Sequence, residues 1–202
     1  MVSAGKERIG GVENMTTETV ETRASDDIEL VSSFVNTLEK NTTRPDEESL
    51  DSPEALRSWM DAQGIPAGDR LGPKDFERAI EFREAMRLLL LSNNGADLDA
   101  GLLRRLRGAA DAGLIRVEIE DDGQAYPRPA DVGVSALIAR LLAAVADIQC
   151  AGTWERLKAC AADDCQWAFY DTSRNRSRTW CSMEVCGNRA KTRAYRARLS
   201  DG

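Results

Sequence analysis

The chain has 202 residues, 42% of them hydrophobic and 30% charged, enough for one medium domain with a buried core and a small appended one. It contains no histidine, which excludes Ser-His-Asp and Cys-His catalysis and any imidazole-ligated metal. The net charge of −7 is uneven: residues 151–202 hold ten basic and six acidic side chains, the rest seventeen and twenty-eight, so an acidic body carries a basic end.

Residues 1–26 are rich in Thr, Glu, Gly and Ser and read as a disordered tail, within which Met15 is a candidate start. Leu30, Val31, Phe34, Val35 and Leu38 recur at helical spacing and predict a first helix over Ile28–Glu39, with Asp26 or Asp27 as its N-cap. A turn-rich link, Asn41–Asp51, follows. Ser52 and Pro53 start a short helix to about Ala62, which Gly64-Ile65-Pro66 breaks. Pro73 opens the longest helix, to about Ser92. Phe76, Ile80, Arg83 and Arg87 share one of its faces, Glu81 and Glu84 read as a solvated one, and Asn93-Asn94-Gly95 ends it.

Another helix is predicted over Leu98–Ala112, closed by Gly113. The period then changes from helical to alternating. Ile115, Val117 and Ile119 interleave with Arg116, Glu118 and Glu120, the pattern of a half-buried strand. Asp122-Gly123 is a hairpin turn signal, and Gln124–Arg128 is the return strand, kept short and at an edge by Pro127 and Pro129. A last apolar helix spans about Val132–Cys150. Arg140 and Asp147 interrupt it and it is too short for a membrane span, so a cytoplasmic protein is expected. Cys150 reads as a packed core thiol.

The other four cysteines form two matching pairs, Cys160-x4-Cys165 and Cys181-x4-Cys186, with fifteen residues between them. In a reducing compartment such pairs are read as metal ligands. Zinc accepts four thiolates in a closed tetrahedron, and a polar segment of about forty residues needs such a staple to fold. Buried or disulfide-bonded cysteines and a catalytic zinc are the alternatives. The spacer Gln166–Trp180 is long enough for a hairpin between the pairs, with Trp167, Phe169 and Trp180 as its small core.

Arg174, Arg176, Arg178, Arg189, Lys191, Arg193, Arg196 and Arg198 follow or flank this module, opposed only by Glu184. A helix is predicted from Gly187 or Asn188, placing Arg189, Arg193 and Arg196 on one face. Guanidinium groups fork onto phosphate oxygens, so nucleic acid, most simply duplex DNA, is the expected partner, with Asn188, Arg189 and Arg193 as candidates for base contact. The other reading is a solvated face or one docked on the acidic body.

Three runs resemble the CGNR zinc-finger family: Cys160-Ala-Ala-Asp-Asp-Cys165, Trp167-Ala-Phe-Tyr-Asp171-Thr-Ser173-Arg-Asn175, and Trp180 through Cys186-Gly187-Asn188-Arg189-Ala-Lys191. Phe34-Val35-Asn36-Thr37, Leu56-Arg-Ser-Trp59 and Phe82-Arg83-Glu84 resemble weaker signatures of the ABATE domain, which precedes the finger in that family. Ser33 and Phe82 depart from its pattern. The resemblance implies a bacterial DNA-binding regulator with Cys160, Cys165, Cys181 and Cys186 on zinc. Within it Gly187 would free the backbone after the last ligand, and Asn188 would cap the helix.

The fold expected is therefore α+β and mainly helical: a helical domain over 27–150 with one hairpin, and a zinc module over 155–200 made of a hairpin and a basic helix. The function expected is transcription regulation, the helical domain sensing a signal or dimerising. A homodimer and a small-molecule effector are candidate partners, with no membrane. A zinc-dependent adaptor for an acidic protein is the alternative. No catalytic residue is identified, and the chain is read as a non-enzyme.

Overall fold

A computed structural model of the chain describes residues 15–40, 45–121 and 123–200. The elements run α1 (Met15–Val35), β1 (Leu38–Glu39), β2 (Glu47–Glu48), α2 (Pro53–Ala62), α3 (Pro73–Ser92), α4 (Ala100–Ala110), β3 (Ile115–Ile119), β4 (Ala125–Pro129), α5 (Val134–Cys150), β5 (Leu157–Ala159), β6 (Ala168–Tyr170) and α6 (Asn188–Ser200). A 3-10 turn, Trp154–Arg156, leads into β5, and a π-helical turn, Met183–Gly187, runs straight into α6. The three sheets are antiparallel pairs, β1 with β2, β3 with β4 and β5 with β6.

The helical architecture follows the apolar periodicity. Leu30, Val31, Phe34 and Val35 of α1, Leu56 and Met60 of α2, Phe82, Met86 and Leu90 of α3, and Leu137, Leu141 and Ile148 of α5 form one buried core. Phe34 meets Trp59 with ring centroids 5.2 Å apart. Ser52 Oγ accepts from Ala55 N at the start of α2, where the sequence placed it, whereas Asp99 Oδ1 accepts from Leu102 N and so starts α4 at Ala100 rather than Leu98. The same core takes in Leu157 and Ala159 of β5 and Ala168 of β6, so the hairpin next to the cysteines is packed into the helical body.

Several expectations are corrected. Residues 15–26 of the expected tail are the first turns of α1, and residues 1–14 and 41–44 lie outside the described residues. These turns carry no apolar stripe, so periodicity cannot find them; Arg23 there bonds Asp147 of α5 at 2.8 Å. Asp27 is no cap. It is fully buried within α1, its Oδ1 2.7 Å from the Arg140 guanidinium. The helix stops at Val35 rather than Glu39, because Leu38 and Glu39 pair with Glu48 and Glu47.

Glu84 is not part of a solvated face. It lies between Arg83 and Arg87, accepting from the first at 3.0 Å and the second at 3.1 Å. Both arginines are buried, a costly placement that only complete pairing makes tolerable. Arg83 forks onto both oxygens of Glu48 at 2.7 Å each and also donates to Thr37 Oγ1.

The β3–β4 hairpin forms in the expected place, but Ile115, Val117 and Ile119 are exposed rather than half-buried. Cys150 is exposed, since it closes α5 on the outward side of its last turn. Finally, β6 pairs with β5, which precedes the first cysteine pair. The hairpin thus encloses Cys160 and Cys165 instead of lying between the pairs.

Candidate metal centre

β5 delivers Cys160 and β6 follows Cys165, so the first pair sits in the tight turn that joins two paired strands. Cys160 N donates to Trp167 O at 2.9 Å, and Cys165 N to Ala162 O at 2.9 Å, closing the loop. Gln166 leaves it with φ of 50°. The second pair comes from the far end of the module. Ser182 Oγ accepts from Val185 N, and the N–H groups of Cys186 and Gly187 both donate to Ser182 O at 3.0 and 3.1 Å. That wide turn swings Cys186 back beside Cys181. Ala161 N donates to Thr179 O at 3.1 Å, joining the two halves.

The four Sγ atoms lie within 4.8 Å of one another, with Cys165–Cys181 at 3.6 Å and Cys181–Cys186 at 3.7 Å. Zinc–sulfur bonds of about 2.3 Å in a tetrahedron put sulfurs roughly 3.8 Å apart, so the donor set fits that ion. The protonation chemistry points the same way. Hydrogen bonds from Cys165 and Cys181 hold the Cys160 thiol far below its ordinary range, down to about 2. The same bond to Cys160 pushes Cys165 up to about 12, and Cys181 is raised by Cys160 and Cys165. One thiolate thus suppresses the others, and a divalent cation is what lets all four ionise together.

The surroundings are built to hold this cluster. Phe169 and Trp180 pack on it as expected, with Ala162. Trp167 instead lines an open groove of about 510 Å³ beside Cys165, Cys181 and Cys186, together with Lys40 and Val185. Arg189 Nη2 donates to Cys186 Sγ at 3.3 Å, offsetting thiolate charge. Arg178 donates to Cys181 O at 2.6 Å and lies 5.2 Å over the Phe169 ring. Asp171 receives the Lys158 ammonium at 2.9 Å and the N–H groups of Ser173 and Arg178. Burial alone would raise the Asp171 carboxyl, yet these donors outweigh it and hold it below the usual carboxylate range.

Gly187 and Asn188 act differently from expectation. A side chain on Gly187 would collide with Met183 Sδ and meet Trp180 Cδ1 at 3.1 Å, so the position needs close approach, not a special backbone angle. Asn188 adopts helical angles and its Nδ2 donates to Glu184 O at 3.0 Å, tying the π turn to α6, while Ser182 supplies the cap.

The basic residues divide into two groups. Arg178 and Arg189 turn inward to the metal centre. Arg174 and Arg176 are exposed in the loop after β6, Arg176 contacting Glu155 at 3.3 Å. On α6, Lys191, Arg193, Arg196 and Arg198 are exposed, Arg193 reaching Asp164 at 3.1 Å. Every residue from Lys191 to Leu199 is exposed, so α6 stands clear of the acidic body rather than docking on it.

Asn36, Lys40, Arg87, Asn93 and Asn94 of the helical body grip the module, Lys40 Nζ donating to Gln166 Oε1 at 2.6 Å, and only their types, not their roles, are evident from sequence. Asn36 exchanges two hydrogen bonds with Ala168, Arg87 Nη1 donates to Gln166 O at 3.0 Å, Asn93 Nδ2 to Trp154 O and Leu157 O, and Asn94 Nδ2 to Ala159 O and Thr179 O at 2.8 Å each. Arg87 also donates to Val35 O at 2.6 Å.

Residues 29–152 match the ABATE family, described as "Putative stress-induced transcription regulator", and residues 156–199 match the CGNR zinc finger. No curated protein matches the chain.

Proposed function

Since the chain belongs to the ABATE family and carries a CGNR zinc finger at its C-terminal end, we propose that it is a transcription regulator that binds duplex DNA through its zinc module. The observation that carries this reading is α6. Its sequence, Asn188–Ser200, contains five basic residues and no acid, and four of the five are exposed. A projecting helix whose own sequence carries five cations and no acid has the electrostatic footprint of a phosphate-binding surface.

In this reading Cys160, Cys165, Cys181 and Cys186 hold zinc as a structural ion. Four sulfurs leave no open position for substrate, so the metal shapes the surface and does no chemistry. Lys191, Arg193, Arg196 and Arg198 contact phosphates, joined by Arg174 from the loop. Arg178 and Arg189 position the module instead. The helical body is the sensing part, and α3, α4 and α5 border a recess of about 280 Å³ between Arg78, Phe82, Arg105 and Ile138 that suits a small effector.

Fluorescence anisotropy with a labelled duplex at several salt concentrations tests the reading. Five phosphate contacts give a log–log salt slope of about −4.5. Replacing Lys191, Arg193, Arg196 and Arg198 together by Ala abolishes binding, while zinc content stays at one per chain. Undiminished binding by that variant overturns the assigned surface. Salt-sensitive binding to an acidic protein, lost in the same variant and with no affinity for duplex DNA, would favour the adaptor reading.

A further inference from the structure

The β3–β4 hairpin plays no part in the metal centre and is unusual in what it leaves uncovered. Glu120 N donates to Gln124 O at 3.0 Å and Ala130 N to Leu114 O at 2.9 Å, so the even-numbered residues of β3 turn their main-chain groups toward β4. The N–H and C=O groups of Ile115, Val117 and Ile119 therefore point the other way, to the outer edge of β3. The sheet is two-stranded, and nothing among the described residues pairs with that edge.

The two edges of the hairpin are treated differently. Pro127 and Pro129 face Val117 and Ile115 in the register, so it is the outer edge of β4 that lacks donors. β3 has no proline, and its outer edge keeps every donor. Its odd-numbered side chains form an apolar row, Val117 and Ile119 each 69% exposed. An edge of this kind is normally blunted or paired, and a lone two-stranded hairpin gains by extension.

We propose that β3 pairs with β3 of a second copy of this chain, antiparallel about a two-fold axis at Val117. The sequence Ile115-Arg116-Val117-Glu118-Ile119 is self-complementary in that register. Val117 meets Val117, Ile115 meets Ile119, and Arg116 meets Glu118 of the second copy. Since the odd residues point their main-chain groups outward, these pairs are the hydrogen-bonded ones, each exchanging both main-chain bonds. Within one chain Arg116 already holds Glu118 at 2.6 Å. Across the axis the same two residues lie opposite each other twice, satisfying an isologous interface. The product is one four-stranded sheet with a continuous apolar face.

The test is the oligomeric state of the full zinc-loaded chain by sedimentation or light scattering. The wild type is expected to be a dimer. Val117→Pro removes a donor that points away from β4, so it leaves the hairpin ladder intact and yields a folded monomer. Arg116→Glu and Glu118→Arg, each alone, place like charges across the axis and weaken association by roughly tenfold. Mixed together, these two chains restore opposite charges at both positions and form a heterodimer, a rescue that no change within one chain can supply. A monomeric wild type, a dimer unaffected by Val117→Pro, or an edge that captures only foreign extended peptides overturns the proposal. DNA binding is measured separately, so a dimer that ignores DNA would sink the nucleic-acid reading alone.

Discussion

Asn36 and Ala168 hold each other by two hydrogen bonds, Asn36 Nδ2 to Ala168 O at 3.0 Å and Ala168 N to Asn36 Oδ1 at 2.7 Å. The side-chain amide stands in for a missing strand against β6, at the seam between the helical body and the metal centre. Asn36→Ala leaves two main-chain groups of Ala168 unpaired in a buried place, at a cost of about 2–3 kcal/mol. Urea unfolding of the zinc-loaded protein measures that cost. Release of zinc to a chromogenic chelator is expected to speed up in the same variant, because the strand beside Cys165 has lost its anchor. Unchanged zinc release would mean that the seam does not support the metal centre.

Gly187 fixes how closely the last ligand turn approaches Trp180 and Met183. Gly187→Ala forces Met183 aside and presses on Trp180, costing roughly 1 kcal/mol. Met183 is about half exposed and can yield, so Met183→Ala in the same chain restores most of the loss, whereas Trp180 keeps a larger side chain such as that of Gly187→Val from fitting. Competition for zinc with a chelator of known affinity ranks the three variants. Equal affinities in Gly187→Ala and wild type would show that the glycine is not there for contact.

Asp27 is buried with the Arg140 guanidinium 2.7 Å from its Oδ1, yet burial outweighs that partner and raises its carboxyl above the ordinary 3.8. A raised acid binds a proton more readily when folded. Its stability contribution is therefore complete below 3.8 and declines as pH rises through the folded value, so at neutral pH the charged form costs stability. Asp27→Asn removes that cost. It is expected to stabilise at pH 7 by about 1 kcal/mol, a melting-temperature rise of about 2–4 °C, with no gain at acid pH. A fall at pH 7 would show instead that the Arg140 pair is worth more than the desolvation.

Removing zinc should loosen only part of the C-terminal segment. Leu157, Ala159 and Ala168 belong to the main core, while Cys181, Cys186 and α6 depend on the metal cluster. Hydrogen exchange after chelation is expected to rise steeply over 179–199 and stay low in β5 and in α3. Uniform deprotection of the chain would mean that the ion holds up the whole fold.

The helices and the four ligands were legible because each rests on local signals: apolar period in α1, the Ser52-Pro53 start of α2, the apolar run of α5, and the repeated x4 interval in the cysteines. What escaped depends on partners distant in sequence. Arg83 and Arg87 look like surface residues until Glu48, Glu84 and the carbonyls of Val35 and Gln166 close around them. Asn93 and Asn94 carry an ordinary helix-stop signal, and their second task, holding β5 and Thr179, leaves no local trace. The alternation in Ile115–Ile119 correctly announced a strand, but alternation records two unlike faces and cannot say that the apolar one is left open. β5 was missed because three residues of it suffice once the core supplies a partner strand.

The grip of Asn36, Arg87, Asn93 and Asn94 on the ribbon of residues 156–179 has a mechanical consequence. A finger on a tether moves independently of its body; this one is hydrogen-bonded to it from α1 and α3. Any molecule that shifts α3 against α1 by a fraction of an ångström pulls on Gln166 and Thr179 directly, and the long arm of α6 enlarges that displacement at its tip. A shift of α3 against α1 would then be felt as a change in the angle of α6.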